Sequence, residues 1–175
     1  GLPIALPLLS PGGLVAYQEA LGVELPRLER HEPSPLPQVD ADQLGWQDLA
    51  RAVAAAYETL TPREQALAVV YGQNYGEAAA IDVHGRALGL AVPPAISGHN
   101  NYWLWGIPPG RGDVLVVVSD ANEDCAGGNY RRADVASRLP PNPWVMPYER
   151  ARWIWICRDP ARPLAELWPS TRHYE

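Results

Sequence analysis

Lysine and phenylalanine are absent from this 175-residue chain, methionine occurs once and cysteine twice. All 14 basic residues are therefore arginine, against 20 acidic ones, for a formal net charge of −6. Without a basic surplus, a nucleic-acid platform is not expected. No apolar run approaches the ~18 residues that a membrane helix needs, and no basic-then-apolar leader opens the sequence. The residues as given read as a soluble domain. With two cysteines, no CxxC and no His/Cys spacing of the zinc type, a structural metal site is not expected. Cys125 and Cys157 form one disulfide if the domain matures outside the cytoplasm; otherwise they are two buried or idle thiols. The missing lysine, together with abundant Ala, Pro and Arg, reads as base composition of the coding sequence.

What is present is a globular composition, 47% hydrophobic and 19% charged. At this length one domain buries roughly 70% of the surface its unfolded chain exposes, enough for a substantial core. Seven Trp and eight Tyr stand out, because each couples a large apolar body to a polar edge and suits wet interfaces and ligand sites.

Along the chain, Gly1 to Leu9 is apolar and uncharged. Ser10-Pro11 signals a helix start and Gly22 its stop. Pro26, Pro33, Pro35 and Pro37 make 26–38 an extended connector. Asp42 to Leu60 is the strongest helix, with Leu44, Leu49, Val53, Ala56, Tyr57 and Leu60 on one face. Thr61-Pro62-Arg63-Glu64 is a capping box that opens a second helical turn. Leu67 to Tyr71 predicts a buried strand, Gly76 to Leu88 a helix, and 94–97 the next short strand, which together make a βαβ unit. Val114 to Val118 predicts a central strand, 130–137 a weak one, 152–157 a strong one, and 164–168 a last short helix. The expected fold is α/β: a single soluble domain over 1–175, three-layered, with a mixed, largely parallel sheet flanked by helices. Residues 1–40 supply a helix and a Pro-rich connector, and 41–175 the α/β core.

In open α/β sheets ligands bind beyond the carboxyl ends of the strands. Two loops are expected to meet there, Gly72 to Glu77 and Ser97 to Gly106. They bring together Asn74, Tyr75, Glu77, Ser97, His99, Asn100, Trp103 and Trp105. For each residue a plain reading stands beside the functional one. Glu77 either complements the start of its helix or serves a ligand or acid/base role. His99 is either a hydrogen-bonded structural histidine or a site residue. Asn74 and Asn100 suit turns and caps. Trp103 and Trp105 alternate, so on a strand they share one side, either covering the core or lining a platform. Glu77 and His99 are too few for a metal. Ser97-His99 lacks the Gly-x-Ser-x-Gly context, and Gly72 to Gly76 lacks phosphate-loop spacing. A second cluster comprises Met146 to Arg150, with Tyr148, and Cys157 to Asp159, where Arg158 either grips an anion or pairs with a carboxylate.

The string Asn74-Tyr75-Gly76-Glu77-Ala78-Ala79-Ala80-Ile81-Asp82, followed by Pro93-Pro94-Ala95-Ile96-Ser97-Gly98-His99-Asn100-Asn101-Tyr102-Trp103-Leu104-Trp105-Gly106, resembles the C-terminal soluble domain of bacterial membrane glycosyltransferases of the family 39 type, which includes protein mannosyltransferase-like and aminoarabinose transferase-like proteins. The resemblance extends over Pro37 to Trp46, Met146 to Glu149, Cys157-Arg158 and Leu164 to Pro169. It departs at 122–143, where relatives carry more cysteines. It implies an extracytoplasmic accessory domain of a polytopic enzyme that uses a polyprenyl-phosphate-linked sugar donor. The catalytic acids would lie in the membrane part, and Gly1–Leu9 would follow the last membrane helix. No catalytic residue, metal or cofactor is then expected in this chain. Its partners would be the membrane-embedded part of the same polypeptide and a polyprenyl-phosphate sugar or glycan acceptor. Asn74, Tyr75, Glu77, Ser97, His99, Asn100, Trp103, Trp105, Tyr148 and Arg158 are the expected ligand contacts. The alternatives are an independent small hydrolase or transferase using Glu77 and His99 as acid and base, and a purely structural interaction module.

Overall fold

The computed structural model describes residues 8–22, 34–109, 111–120, 125, 127–150 and 152–174. The apolar start Gly1 to Pro7 and most of the Pro-rich connector, 23–33, lie outside the described residues. The chain divides into two compact units, one of 1–45 with 140–150, the other of 46–139 with 151–175. Residues 140–150, expected within the α/β core, thus belong with the N-terminal unit.

In that first unit, helix α1 (Pro11–Leu21) starts where the Ser10 hydroxyl accepts from the Gly13 N–H. It ends at Gly22, whose left-handed φ of 60° aims its N–H back at the last carbonyls. A short helix α2 (Gln38–Ala41) and a 3-10 turn (Pro147–Glu149) complete it. Leu14, Leu36, Ala41 and Met146 form its small apolar centre, with Trp144 against it.

The second unit is a mixed α/β fold. Helix α3 (Trp46–Glu58) leads into α4 (Pro62–Leu67), then strand β1 (Ala68–Gly72), helix α5 (Tyr75–Ala87) and strand β2 (Ala95–Ile96). A 3-10 turn (Asn100–Trp105), strands β3 (Val114–Ser119), β4 (Tyr130–Arg138) and β5 (Trp153–Pro160), helix α6 (Leu164–Leu167) and a closing 3-10 turn (Trp168–Thr171) follow. The strand order is β2-β1-β3-β5-β4. β1 is parallel to β2 and β3, whereas β5 is antiparallel to β3 and β4. Four strands therefore point one way and β5 alone runs against them.

The sheet is covered on both faces, which is why β3 is apolar at nearly every position. Val70, Val114, Val116, Val118, Ile154 and Ile156 pack with Leu49, Val53 and Ile81 of α3 and α5. The alternate residues Val69, Leu115, Val117, Trp155 and Cys157 pack with Leu164 and Trp168. Cys125 and Cys157 are joined as a disulfide across 32 positions. This settles the alternative of two thiols and ties Cys125 to β5. β4 is exposed along most of its length; its Arg131, Arg132, Asp134 and Arg138 suit an edge strand that must not recruit another. Among the described residues no helix is long and apolar enough to cross a membrane.

Candidate functional site

The carboxyl ends of β1, β2 and β3 share one rim of the second unit, and the start of β5 joins them through the pairing of Ser119 with Trp153. The chain turns from β1 into α5 at Gly72, where a Cβ would lie 2.8 Å from the Ala78 nitrogen. Only glycine lets strand and helix approach so closely. Asn74 then caps the helix: its Oδ1 accepts from the Glu77 N–H at 2.9 Å, and the Glu77 carboxylate accepts in return from the Asn74 N–H at 3.3 Å. The same carboxylate accepts from the Gln73 N–H at 2.7 Å and meets Arg152 Nε at 2.7 Å. Both side chains are withdrawn from solvent, Glu77 at 0% and Arg152 at 6% exposure. Gln73 ties this loop to β3, donating to Ser119 Oγ at 3.2 Å and accepting from the Asp120 N–H at 3.3 Å.

The second loop is set by the C-terminal tail. His99 pairs with His173 in a parallel bridge: the His173 N–H donates to the Gly98 carbonyl at 3.1 Å and the Asn100 N–H to the His173 carbonyl at 2.9 Å. A Cβ at Gly98 would overlap the Thr171 carbonyl, so glycine is required there. The Ser97 hydroxyl accepts from the His99 N–H at 3.2 Å, and Asn100 takes the left-handed conformation at φ 52° that asparagine tolerates. The two loops meet at His99. Its Nδ1 accepts from the Tyr75 N–H at 3.4 Å, and its ring lies 5.0 Å from that of Tyr75 and 4.8 Å from that of His173, nearly parallel to the latter. An acceptor at Nδ1 places the proton of neutral His99 on Nε2.

Comparison with known proteins finds no family model, no curated protein and no solved structure that matches this chain.

The tryptophans do not alternate on a strand, because β2 stops at Ile96 and 100–105 winds as a 3-10 turn. Trp103 turns inward, its Nε1 donating to the Trp168 carbonyl at 3.0 Å. Trp105 stands 74% exposed beside the Tyr102 ring. Tyr102 is buried beneath it and donates to Asp82 at 2.5 Å. Burial, then that carboxylate, pushes its hydroxyl pKa above the usual phenol value.

Of the residues expected at the rim, Asn74, Tyr75, Glu77, Ser97, His99 and Asn100 are brought together, with Trp103 and Trp105 on the adjoining turn. Arg158 is not among them. It pairs with Val114 at the opposite end of the sheet, and its guanidinium is held by Glu64 at 2.7 Å and Asp134 at 2.9 Å. The carboxylate-pairing reading, not the anion grip, describes it. Tyr148 lies in the first unit and donates to Asp42 at 2.8 Å. The sequence reading missed Arg152 and His173 as members of the rim, and singled out no role for Gln73 within its loop. A charged residue placed immediately before a buried Trp/Ile strand was the available sign for Arg152. Among the described residues no group of three or more His, Cys, Asp or Glu gathers to hold a metal.

Proposed function

We propose that this chain is a non-catalytic, extracytoplasmic accessory domain of a polytopic glycosyltransferase, and that its rim assists binding of a glycan acceptor or of a polyprenyl-phosphate-linked sugar donor. The observation that carries the reading is the commitment of the Glu77 carboxylate to Arg152 and two backbone N–H groups. A general base needs a lone pair aimed at the substrate proton, and backbone N–H groups and the Arg152 guanidinium already converge on both oxygens of this buried carboxylate. The hydrolase alternative loses its acid/base pair on this account. What remains is a braced rim with exposed Tyr75 and Trp105, groups that stack on sugar faces and reach their hydroxyls. The Cys125–Cys157 disulfide supports maturation in an oxidising compartment. Asn74, Ser97 and Asn100 are occupied in shaping the two loops and His99 is buried between Tyr75 and His173, so contact with a ligand falls chiefly to Tyr75 and Trp105.

The test uses the oxidised chain and a set of monosaccharides and short glycans, followed through the Trp indole signals in NMR. Saturable shifts at Trp103 and Trp105, weakened by Tyr75→Ala, are expected. No sugar transfer is expected when the chain is mixed with a polyprenyl-phosphate sugar. Robust transfer by the chain alone, or unaltered spectra across the whole set, overturns the proposal.

A further inference from the structure

The C-terminal tail adds a second, cationic wall to the rim. Arg172 lies with its guanidinium 4.7 Å above the Trp103 ring and 5.0 Å from that of Tyr174, to whose hydroxyl it also donates. Trp103 is itself stacked near-parallel with Trp168. On the other side of the tail, His173 stacks on His99, which meets Tyr75. Two groups of planar side chains therefore meet at the tail, Tyr75, His99 and His173 in one and Trp103, Arg172 and Tyr174 in the other, and the backbone bonds of His173 with Gly98 and Asn100 tie the tail to the second loop. Among the described residues no carboxylate lies within ion-pair distance of Arg172. Among the described residues, aromatic faces are what hold its guanidinium.

An arginine fixed in this way has already lost much of its rotamer freedom and presents a rigid donor fork that matches a carboxylate or phosphate. Exposed phenols, Tyr75 at 52% on the rim and Tyr174 at 58% beside Arg172, offer apolar faces and hydroxyls of the kind that meet a sugar ring. We propose that the tail residues Arg172, His173 and Tyr174 complete the rim as a subsite for an anionic saccharide, with Arg172 gripping the carboxylate or phosphate group. This rests on the reading of the rim as a sugar-binding edge and names the class of sugar.

The experiment compares glucose, glucuronic acid, glucose 6-phosphate and inorganic phosphate on the oxidised chain, read by Trp103 indole shifts. Glucuronic acid and glucose 6-phosphate are expected to bind about tenfold more tightly than glucose, the scale of one charge-assisted contact, and inorganic phosphate more weakly than glucose 6-phosphate. Arg172→Gln should erase the preference for charged sugars over glucose. Arg172→Lys, with charge but no planar fork, should restore only part of it. A folded Arg172→Gln chain that keeps the preference overturns the subsite. Equal binding of glucose and the charged sugars also overturns it, leaving the sugar-binding rim in place. Phosphate binding as tightly as glucose 6-phosphate overturns the saccharide specificity. If no sugar of any charge binds, this inference and the functional proposal fall together.

Discussion

Glu64 and Glu77 open their helices in the same manner and reach opposite ends of the same strand. Each stands third in a capping box, Glu64 with Thr61 and Glu77 with Asn74. Each then pairs at 2.7 Å with an arginine at one end of β5, Glu64 with Arg158 and Glu77 with Arg152. Their surroundings differ. The Glu64–Arg158 pair keeps 26% and 19% of its side-chain surface in solvent, and Arg158 shares a second carboxylate, Asp134. The Glu77–Arg152 pair is almost completely enclosed. The contacts are alike in geometry, so burial decides their energetic weight. In water the gain from an ion pair nearly cancels its ordering cost, whereas a buried charge stripped of its partner has no solvent to turn to.

The largest effect is therefore expected at the rim. Glu77→Gln leaves the Arg152 guanidinium buried beside a neutral amide and should destabilise the domain by about 3–5 kcal/mol. At roughly 2–4 °C per kcal/mol for a domain of this size, that lowers Tm by roughly 6–20 °C in a calorimetric melt. Replacing both partners by methionine should recover part of the loss, because no charge is left stranded. Recovery will be incomplete, because the Gln73 and Asn74 N–H groups lose their acceptor. At the other end, Glu64→Gln should cost only about 1 kcal/mol. High salt separates the two pairs further: it should shrink the Glu64 effect and leave that of Glu77 nearly unchanged. Equal costs at the two glutamates would remove burial as the deciding difference.

Much of the second unit was legible in local sequence. The apolar run of β3, the Thr61 to Glu64 capping box and the β1-α5-β2 unit each follow from neighbours within a few residues, which is the range over which periodicity and caps act. The juxtaposition of the Glu77 and His99 loops followed from the rule for strand ends. What escaped was set by distant partners. Arg152 finds Glu77 from far along the chain, and no spacing announces it. The Trp103–Trp105 alternation was read with the period of a strand, yet the tail packing onto Gly98 and the left-handed turn at Asn100 end β2 early and wind the segment as a 3-10 turn. That change sends one tryptophan inward and the other out. Arg158 was open between an anion grip and a carboxylate pair, and only the register of β5 beside β3 and β4 decides it.

The exposed end also carries a pH signature. The Arg158 guanidinium, followed by the Thr61 N–H and hydroxyl, lowers the Glu64 pKa from 4.5 to about 2. A carboxylate with a depressed folded-state pKa stabilises the fold above its unfolded value, and that contribution is lost as pH falls from 4.5 towards about 2. Solvent screening holds the amount to about 1 kcal/mol. In acid titrations Glu64→Gln should therefore match the wild-type chain at the lowest pH and fall below it progressively as pH rises through that window. The smallest effect belongs to Asp134, whose side chain is 64% exposed. Asp134→Asn should change stability by less than about 0.5 kcal/mol. A double-mutant cycle with Glu64→Gln sharpens the comparison, because the two carboxylates share one guanidinium: once Asp134 is neutral, Arg158 has a single carboxylate, and the cost of losing Glu64 should rise slightly. If instead the two costs simply add, Glu64 and Asp134 act on Arg158 independently, and the exposed end is two separate surface contacts instead of one network.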